Sequence, residues 1–204
     1  MLRLPRRRSQ LARCSVARSV GLDKAAVVRA AAALADQGGL DHLTLAQLAA
    51  HLNIRTPSLY NHVDGLPGLE RDLALLGVQQ LVQCVSRAAI GRAGDAVMIE
   101  IALAYRGFIR AHPGLYAATI RAPGSTDLQL QAAAQELVAM LLAALAAYCL
   151  SDDAAIHAVR GLRSIVHGFT TLELAGGFAM PLDCDESFCR LMQAFLASLR
   201  NQRE

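Results

Sequence analysis

An all-α fold is what this sequence predicts, and three observations predict it. Hydrophobic residues make up 54% of the 204-residue chain but aromatics only 4%, with no Trp, so alanine and leucine supply the apolar mass. Both are strong helix formers, whereas strand propensity rests mainly on β-branched and aromatic residues. Apolar residues recur three and four positions apart, and no segment alternates with period two over a useful length. About nine helices follow from the start and stop signals.

The first helix begins near Asp23, a residue suited to cap it. Ala26, Val27, Ala30, Ala31 and Leu34 give it an apolar face, and Gly38-Gly39 stops it. Thr44-Leu45-Ala46-Gln47 then has the form of a capping box, followed by the stripe Leu45, Leu48, Ala49 and Leu52. After the break Asn53-Ile54-Arg55-Thr56, Thr56 is a natural N-cap and Pro57 suits the first position of a short helix reaching His62. Leu59 and Val63 would anchor that helix, and Asp64-Gly65 ends it.

A long helix is expected over 67–89, then helices over 95–111, 115–121, 126–150, 152–175 and 185–200. The stops between them are Gly91 and Gly94, His112-Pro113-Gly114, Pro123-Gly124, Ser151-Asp152-Asp153 and Gly176-Gly177. The division expected is a basic arm over 1–20, a three-helix unit over 21–66 and a larger helical unit over 67–204.

Charge is distributed unevenly. Residues 1–62 carry nine Lys/Arg against three Asp/Glu, while the whole chain has a formal net charge of only +3. Such asymmetry suits an end that meets a polyanion. The excess lies in Arg3, Arg6, Arg7, Arg8, Arg13 and Arg18, because residues 21–62 balance at three against three. The arm is either a phosphate-tracking element or a solvated tail, and its Arg-rich, acid-free character also imitates a transit peptide.

Several classes are disfavoured. The five cysteines are scattered without CxxC spacing, so neither a disulfide framework nor a zinc site is suggested and no metal is expected. The longest apolar run, Leu137–Leu150, is short of the roughly 20 residues of a membrane span and reads as a buried helix; no membrane partner is expected. The acid pairs Asp152-Asp153 and Asp185-Glu186 fall at helix starts, where carboxylates complement the helix dipole. No nucleophile-base set or phosphate-cradling glycine loop accompanies them, so neither catalysis nor a cofactor is expected.

Two short helices joined by a tight turn, with a third to pack on, can present one helix to a DNA major groove. With Leu59 inward, Thr56, Ser58, Tyr60, Asn61 and His62 remain outside as small or polar groups. Asn can contact adenine bidentately, Ser and Thr can reach base or phosphate, and Tyr can donate to a phosphate. Arg55 at the entrance can fork onto a guanine or clamp a phosphate. By itself this polar face fits a solvated surface equally well.

The run Thr44-Leu45-Ala46-Gln47-Leu48-Ala49, followed by Pro57-Ser58-Leu59-Tyr60-Asn61-His62-Val63 and Leu69, resembles the N-terminal domain of the TetR family of regulators. Farther on, Ile109-Arg110-Ala111-His112-Pro113-Gly114-Leu115-Tyr116 resembles that family's break after its fifth helix. Val166-His167-Gly168-Phe169, Leu172-Glu173, Gly177-Phe178 and Phe188 resemble the branch named for a Trp-His-Gly motif, with Val166 where Trp would stand. The resemblance implies that Arg55, Thr56, Pro57, Ser58 and Asn61 approach base edges, that Tyr60 and His62 contact phosphates, and that Thr44 reaches the backbone. Many relatives place a lysine phosphate clamp where this chain has Leu66. That loss gives the arm residues Arg3, Arg6, Arg7 and Arg8 a role on phosphates or in a minor groove.

The scattered cysteines and the lack of a secretory h-region suggest a reducing cytoplasm, and the resemblance further implies a bacterial homodimer that grips a near-palindromic double-stranded DNA operator and is released by an unidentified small molecule. The expected dimer contact pairs helix 152–175 with helix 185–200 through Ile165, Gly168, Leu172, Phe188, Leu191 and Phe195, because both helices are apolar on more than one side. The expected pocket draws on Tyr105, Phe108, His112, Tyr116, Met140, Tyr148 and His167, with a modest, mostly apolar effector. Arg106, Arg110, Arg121 and His157 are further polar candidates, although each reads at least as well as a surface or structural group. A repressor is the leading reading; an activator, or a DNA-binding protein with no effector, is the alternative.

Overall fold

The computed structural model describes residues 22–120 and 127–201. Among these residues there are nine α-helices and no strand. The segment holding Arg3, Arg6, Arg7 and Arg8 lies outside the described residues, as does Arg121.

Three helices form the N-terminal unit: α1 (Lys24–Gly38), α2 (Leu45–His51) and α3 (Thr56–Leu59). Asp23 caps α1 by accepting from the Ala26 N–H at 2.6 Å. The capping box at α2 is reciprocal: Thr44 Oγ1 accepts from Gln47 N at 3.2 Å, and Gln47 Oε1 accepts from Thr44 N at 3.0 Å. Each side chain satisfies an orphan N–H of the first turn. The turn into α3 passes through Asn53, which has φ 54°, a left-handed conformation that Asn tolerates better than most residues.

Three boundaries differ from expectation. Arg55, not Thr56, is the cap residue of α3, and Thr56-Pro57 open the helix itself. Regular α-helix ends at Leu59 because Tyr60, Asn61 and His62 bond to carbonyls three residues back, a tighter winding than α. Gly65, expected to end the preceding segment, instead begins α4 (Gly65–Ala89) with φ 69°.

At 25 residues, α4 spans about 37 Å and packs against α1, α5, α6 and α7. Around it lie α5 (Gly94–Ala111), α6 (Pro113–Ala118), α7 (Leu128–Leu145), α8 (Asp152–Leu174) and α9 (Cys184–Arg200). Pro113 at the start of α6 ends α5 and fixes the first φ of the next helix. The α7 helix stops earlier than expected, closing in a tight turn over Ala146–Tyr148 before Cys149 adopts φ 52°.

The apolar run is not the buried helix it promised. Leu128–Tyr148 forms 21 residues of mean hydropathy 1.6, long and apolar enough to cross a membrane by length and composition, yet only 22% buried. Leu130, Ala133, Leu141 and Leu145 face inward, while the outer side is largely alanine, including Ala132, Ala139, Ala143 and Ala147. Alanine raises hydropathy while exposing little apolar area per residue, which lets such a helix form an outer wall.

The α6 helix is wedged between α1 and α4 with almost no clearance. A β-carbon on Gly114 would stand 2.0 Å from the Ala35 carbonyl oxygen, and one on Gly77 would stand 2.6 Å from Thr119 Cγ2 and 3.0 Å from the Leu115 carbonyl oxygen. Asp36 completes the joint from α1. Its Oδ1 accepts from the Leu115 N–H at 2.8 Å and its Oδ2 lies 2.9 Å from His112 Nδ1. A carboxylate from a different helix thus supplies the cap that α6 lacks locally.

Gly114→Ala should therefore lower stability by about 1–3 kcal/mol or more, since the obstructing atoms are backbone. Gly107→Ala, whose β-carbon meets nothing within 4 Å in mid-helix, should raise stability by about 0.5–1 kcal/mol. Urea melts of the two variants beside the parent check both signs.

Candidate functional site

The surface formed by α2, α3 and the turns around them is where the structure places the expected DNA-contact residues. Leu59 is fully buried and Val63 nearly so, and these two fasten the segment to the core. Arg55, Pro57, Tyr60 and Asn61 are exposed, with Tyr60 at 60%, and Thr56, Ser58 and His62 are half-buried. The side chains of Arg55, Thr56, Ser58, Tyr60, Asn61 and His62 make no hydrogen bond or ion pair among the described residues. An exposed tyrosine beside unengaged Asn, Ser, Thr and Arg groups offers donors and acceptors for an outside partner. Thr44 is also exposed, but its hydroxyl is already engaged in the α2 cap. Leu66 turns inward and packs on the core, which accounts for the missing lysine clamp. The αL residue Asn53 was not singled out from sequence, although an Asn between a helix end and a polar helix start is the available signal.

A cavity of about 340 Å³ opens between α4, α5, α7 and α8, with the C-terminal end of α6 at its rim. That volume sits at the lower end of the roughly 300–1,000 Å³ typical of small-molecule sites. Its walls are Ala74, Val78 and Leu81 from α4, aliphatic residues of α7, and Ile156 and Val159 from α8. Tyr105, Thr119, Arg160 and Arg163 add the polar part. Burial pushes the Tyr105 phenol well above its ordinary pKa, so it stays a neutral hydroxyl.

Of the residues expected to line a pocket, Tyr105 is the one that lines this cavity; the others are engaged elsewhere. His112 serves the Asp36 joint, with Phe108 against its ring at 5.4 Å. The Tyr116 hydroxyl lies 3.2 Å from His167 Nδ1. Tyr148 is buried and donates to Asp95 at 2.6 Å. Met140 packs beside Ser86 of α4. Arg160 and Arg163 were missed because sequence position alone does not separate a cavity arginine from a solvated one.

Arg106 is 3% exposed and fastens α5 to α8 and α9. Its Nε and Nη2 donate to the two Glu173 oxygens at 2.9 and 2.7 Å, and Nη1 meets Asp185 Oδ1 at 2.7 Å. The Phe169 and Phe188 rings lie 5.3 and 5.0 Å from the guanidinium carbon. Several residues of the C-terminal motif thus converge on one ion cluster, and Val166 is fully buried beneath it.

The expected dimer face is only partly outward. Leu172 and Leu191 are 53% and 39% exposed, and a β-carbon on Gly168 would meet open space. Ile165 and Phe195 are half-buried against the subunit's own core. Phe188 is a correction: at 0% exposure, enclosed by Phe169 and Arg106, it belongs to the core and reaches no partner.

A helical core carrying an outward helix-turn-helix defines the class of DNA-binding transcriptional regulators. Residues 98–195 match the family described as tetracyclin repressor-like, C-terminal domain. The chain is 36% identical over 182 residues to the HTH-type transcriptional regulator YobS of Bacillus subtilis (strain 168), spanning 88% of this chain and 94% of that one. It is 34% identical over 189 residues to the HTH-type transcriptional regulator Rv0681 of Mycobacterium tuberculosis, spanning 92% and 86%. Among solved structures, a TetR variant from Acinetobacter baumannii AYE in complex with minocycline has a TM-score of 0.69 at 22% identity, covering 90% of this chain and 99% of that one, a likeness of fold. The chain belongs to the TetR family of transcriptional regulators, which are non-enzymatic DNA-binding proteins.

Arg106→Met should destabilise the chain by about 3 kcal/mol, because Glu173 would be left with only Arg110, 3.8 Å away, to offset its charge. Chemical denaturation followed by circular dichroism measures the loss.

Proposed function

We propose that this chain is a cytoplasmic repressor that binds a near-palindromic DNA operator as a homodimer and is released by a small molecule held in the α4–α8 cavity. The observation that carries the reading is the wedge. The α6 helix touches the cavity through Thr119 at one end and is clamped to α1 of the DNA-contact unit through Gly114 and Asp36 at the other. Displacement at the cavity therefore has a stiff route to the recognition surface. One helix-turn-helix makes few contacts, so two related by symmetry on paired half-sites are needed for specific affinity. The minocycline complex of the structurally similar TetR supports a ligand site in this fold.

In this reading Asn61 and Ser58 approach base edges, Arg55 meets a guanine or phosphate, and Tyr60 and His62 hold phosphates. Leu172, Gly168 and Leu191 meet their symmetry mates. A ligand that weakens DNA binding 100-fold must favour the released state by about 2.7 kcal/mol.

Selection of bound duplexes from a random pool should return an inverted repeat. Asn61→Ala should weaken binding to it by about 1–3 kcal/mol and relax preference at one position of each half-site, as read by gel shift. Unchanged affinity in Tyr60→Ala and Asn61→Ala alike rejects this recognition surface. In sedimentation the parent should run as a dimer and Leu191→Glu as a monomer, since burying an unpaired carboxylate at the contact is unfavourable.

A further inference from the structure

The polar side of the cavity has one sign of charge. Arg160 and Arg163, one turn apart on α8, both line it, and no carboxylate does among the described residues. The acidic residues of the cavity's helices and their caps that form ion pairs do so elsewhere: Asp72 with Lys24, Asp95 with Arg200, Glu100 with Arg92, Asp127 with Arg71 and Glu173 with Arg106. Neither cavity arginine has a carboxylate partner among the described residues. Arg163 is instead turned to the end of α6, where Nη2 lies 3.1 Å from the Ile120 carbonyl oxygen and 3.5 Å from that of Thr119. The remaining lining is aliphatic apart from the Tyr105 and Thr119 hydroxyls.

We infer that the cavity takes a small amphipathic carboxylate, with its apolar body among the α4 and α7 side chains and its carboxylate on Arg163, Arg160 beside it. The inference rests on the proposed reading of this cavity as the effector site and specifies its chemistry. A planar guanidinium receives a carboxylate through two parallel N–H···O bonds, a geometry no lone hydroxyl or amine can reproduce. The neutral Tyr105 hydroxyl adds a donor that does not repel an anion. A carboxylate carries a full negative charge and accepts from both arms of the guanidinium, so it is a stronger acceptor for Arg163 than either neutral carbonyl. An incoming carboxylate therefore takes Arg163 from the two carbonyls at the end of α6. The ligand loosens the helix that is clamped to α1, so recognition and release share one side chain.

Calorimetric titration of the full-length chain with octanoate, 1-octanol and octylamine tests this, because the three share an apolar body and differ in the head group. Octanoate should bind at least about tenfold more tightly than octanol, with octylamine weakest. Arg163→Gln should erase that preference while leaving octanol affinity unchanged, which also shows that the variant's cavity is intact; Arg163→Lys should retain part of it. Val159→Trp, which fills the cavity, should abolish binding of both. Octanol binding as tightly as octanoate, or a preference that survives Arg163→Gln, overturns the carboxylate assignment and leaves the cavity reading standing. Binding by none of the three overturns both, and octanoate binding undiminished by Val159→Trp places the ligand elsewhere and does the same.

Discussion

The carbonyl oxygen of Ala35 occupies the space where residue 114 would carry a β-carbon, and that backbone contact sets how the DNA-contact unit meets the rest of the chain. Close-packed backbone does not compress, so a push on α6 moves α1 rather than being absorbed between them. The same helix is held against α4 at Gly77, where a second small residue brings α4 up to Leu115 and Thr119. With Asp36 capping α6 from α1, the six residues of α6 have covalent neighbours on one helix and hydrogen-bonded neighbours on another. A short helix without a local side-chain cap would fray alone; here its order depends on the joint.

On the opposite side the structure is stiff for a different reason. The Arg106 guanidinium, gripped by Glu173 and Asp185 and flanked by two phenylalanine rings, ties α5 to the α8–α9 pair. A buried cation with its hydrogen bonds satisfied costs more to break than to keep. The two places thus differ in what holds them: α6, at the cavity's rim, by close packing and one carboxylate cap, and the α5–α8–α9 junction by a buried cation with its partners in place. That asymmetry turns ligand binding into a directed displacement in the proposed mechanism.

The parts of this arrangement that were legible in sequence are those set by local chemistry. Asp23 and the Thr44/Gln47 pair stood out as caps because capping needs particular side chains at fixed spacing, and both do cap. Leu59 was readable as the inward anchor of the short helix from its four-residue spacing to Val63. The cavity was not readable, because a side chain on a helix facing inward can either line a void or fill one. His112, Tyr116, Tyr148 and His167 have the composition of ligand-orienting groups, yet each is committed to a partner 51 or more residues away in sequence. Phe188 shows the same limit: its stripe position fitted an interface, and only the tertiary position of Arg106 makes it core.

The α8 helix joins these threads, since its faces serve three tasks at once. Val159, Leu162 and Val166 bury it in the subunit, Arg160 and Arg163 turn to the cavity, and Gly168 and Leu172 remain open to solvent. A 23-residue helix spans about 35 Å, so cavity and open face share a rigid rod. If the open face is the symmetry contact, a ligand drawn onto Arg163 acts on α6 against a frame that the second subunit holds still. Pairing then does more than double the DNA contacts: it gives the displacement of α6 a fixed reference against which the two recognition surfaces change their separation.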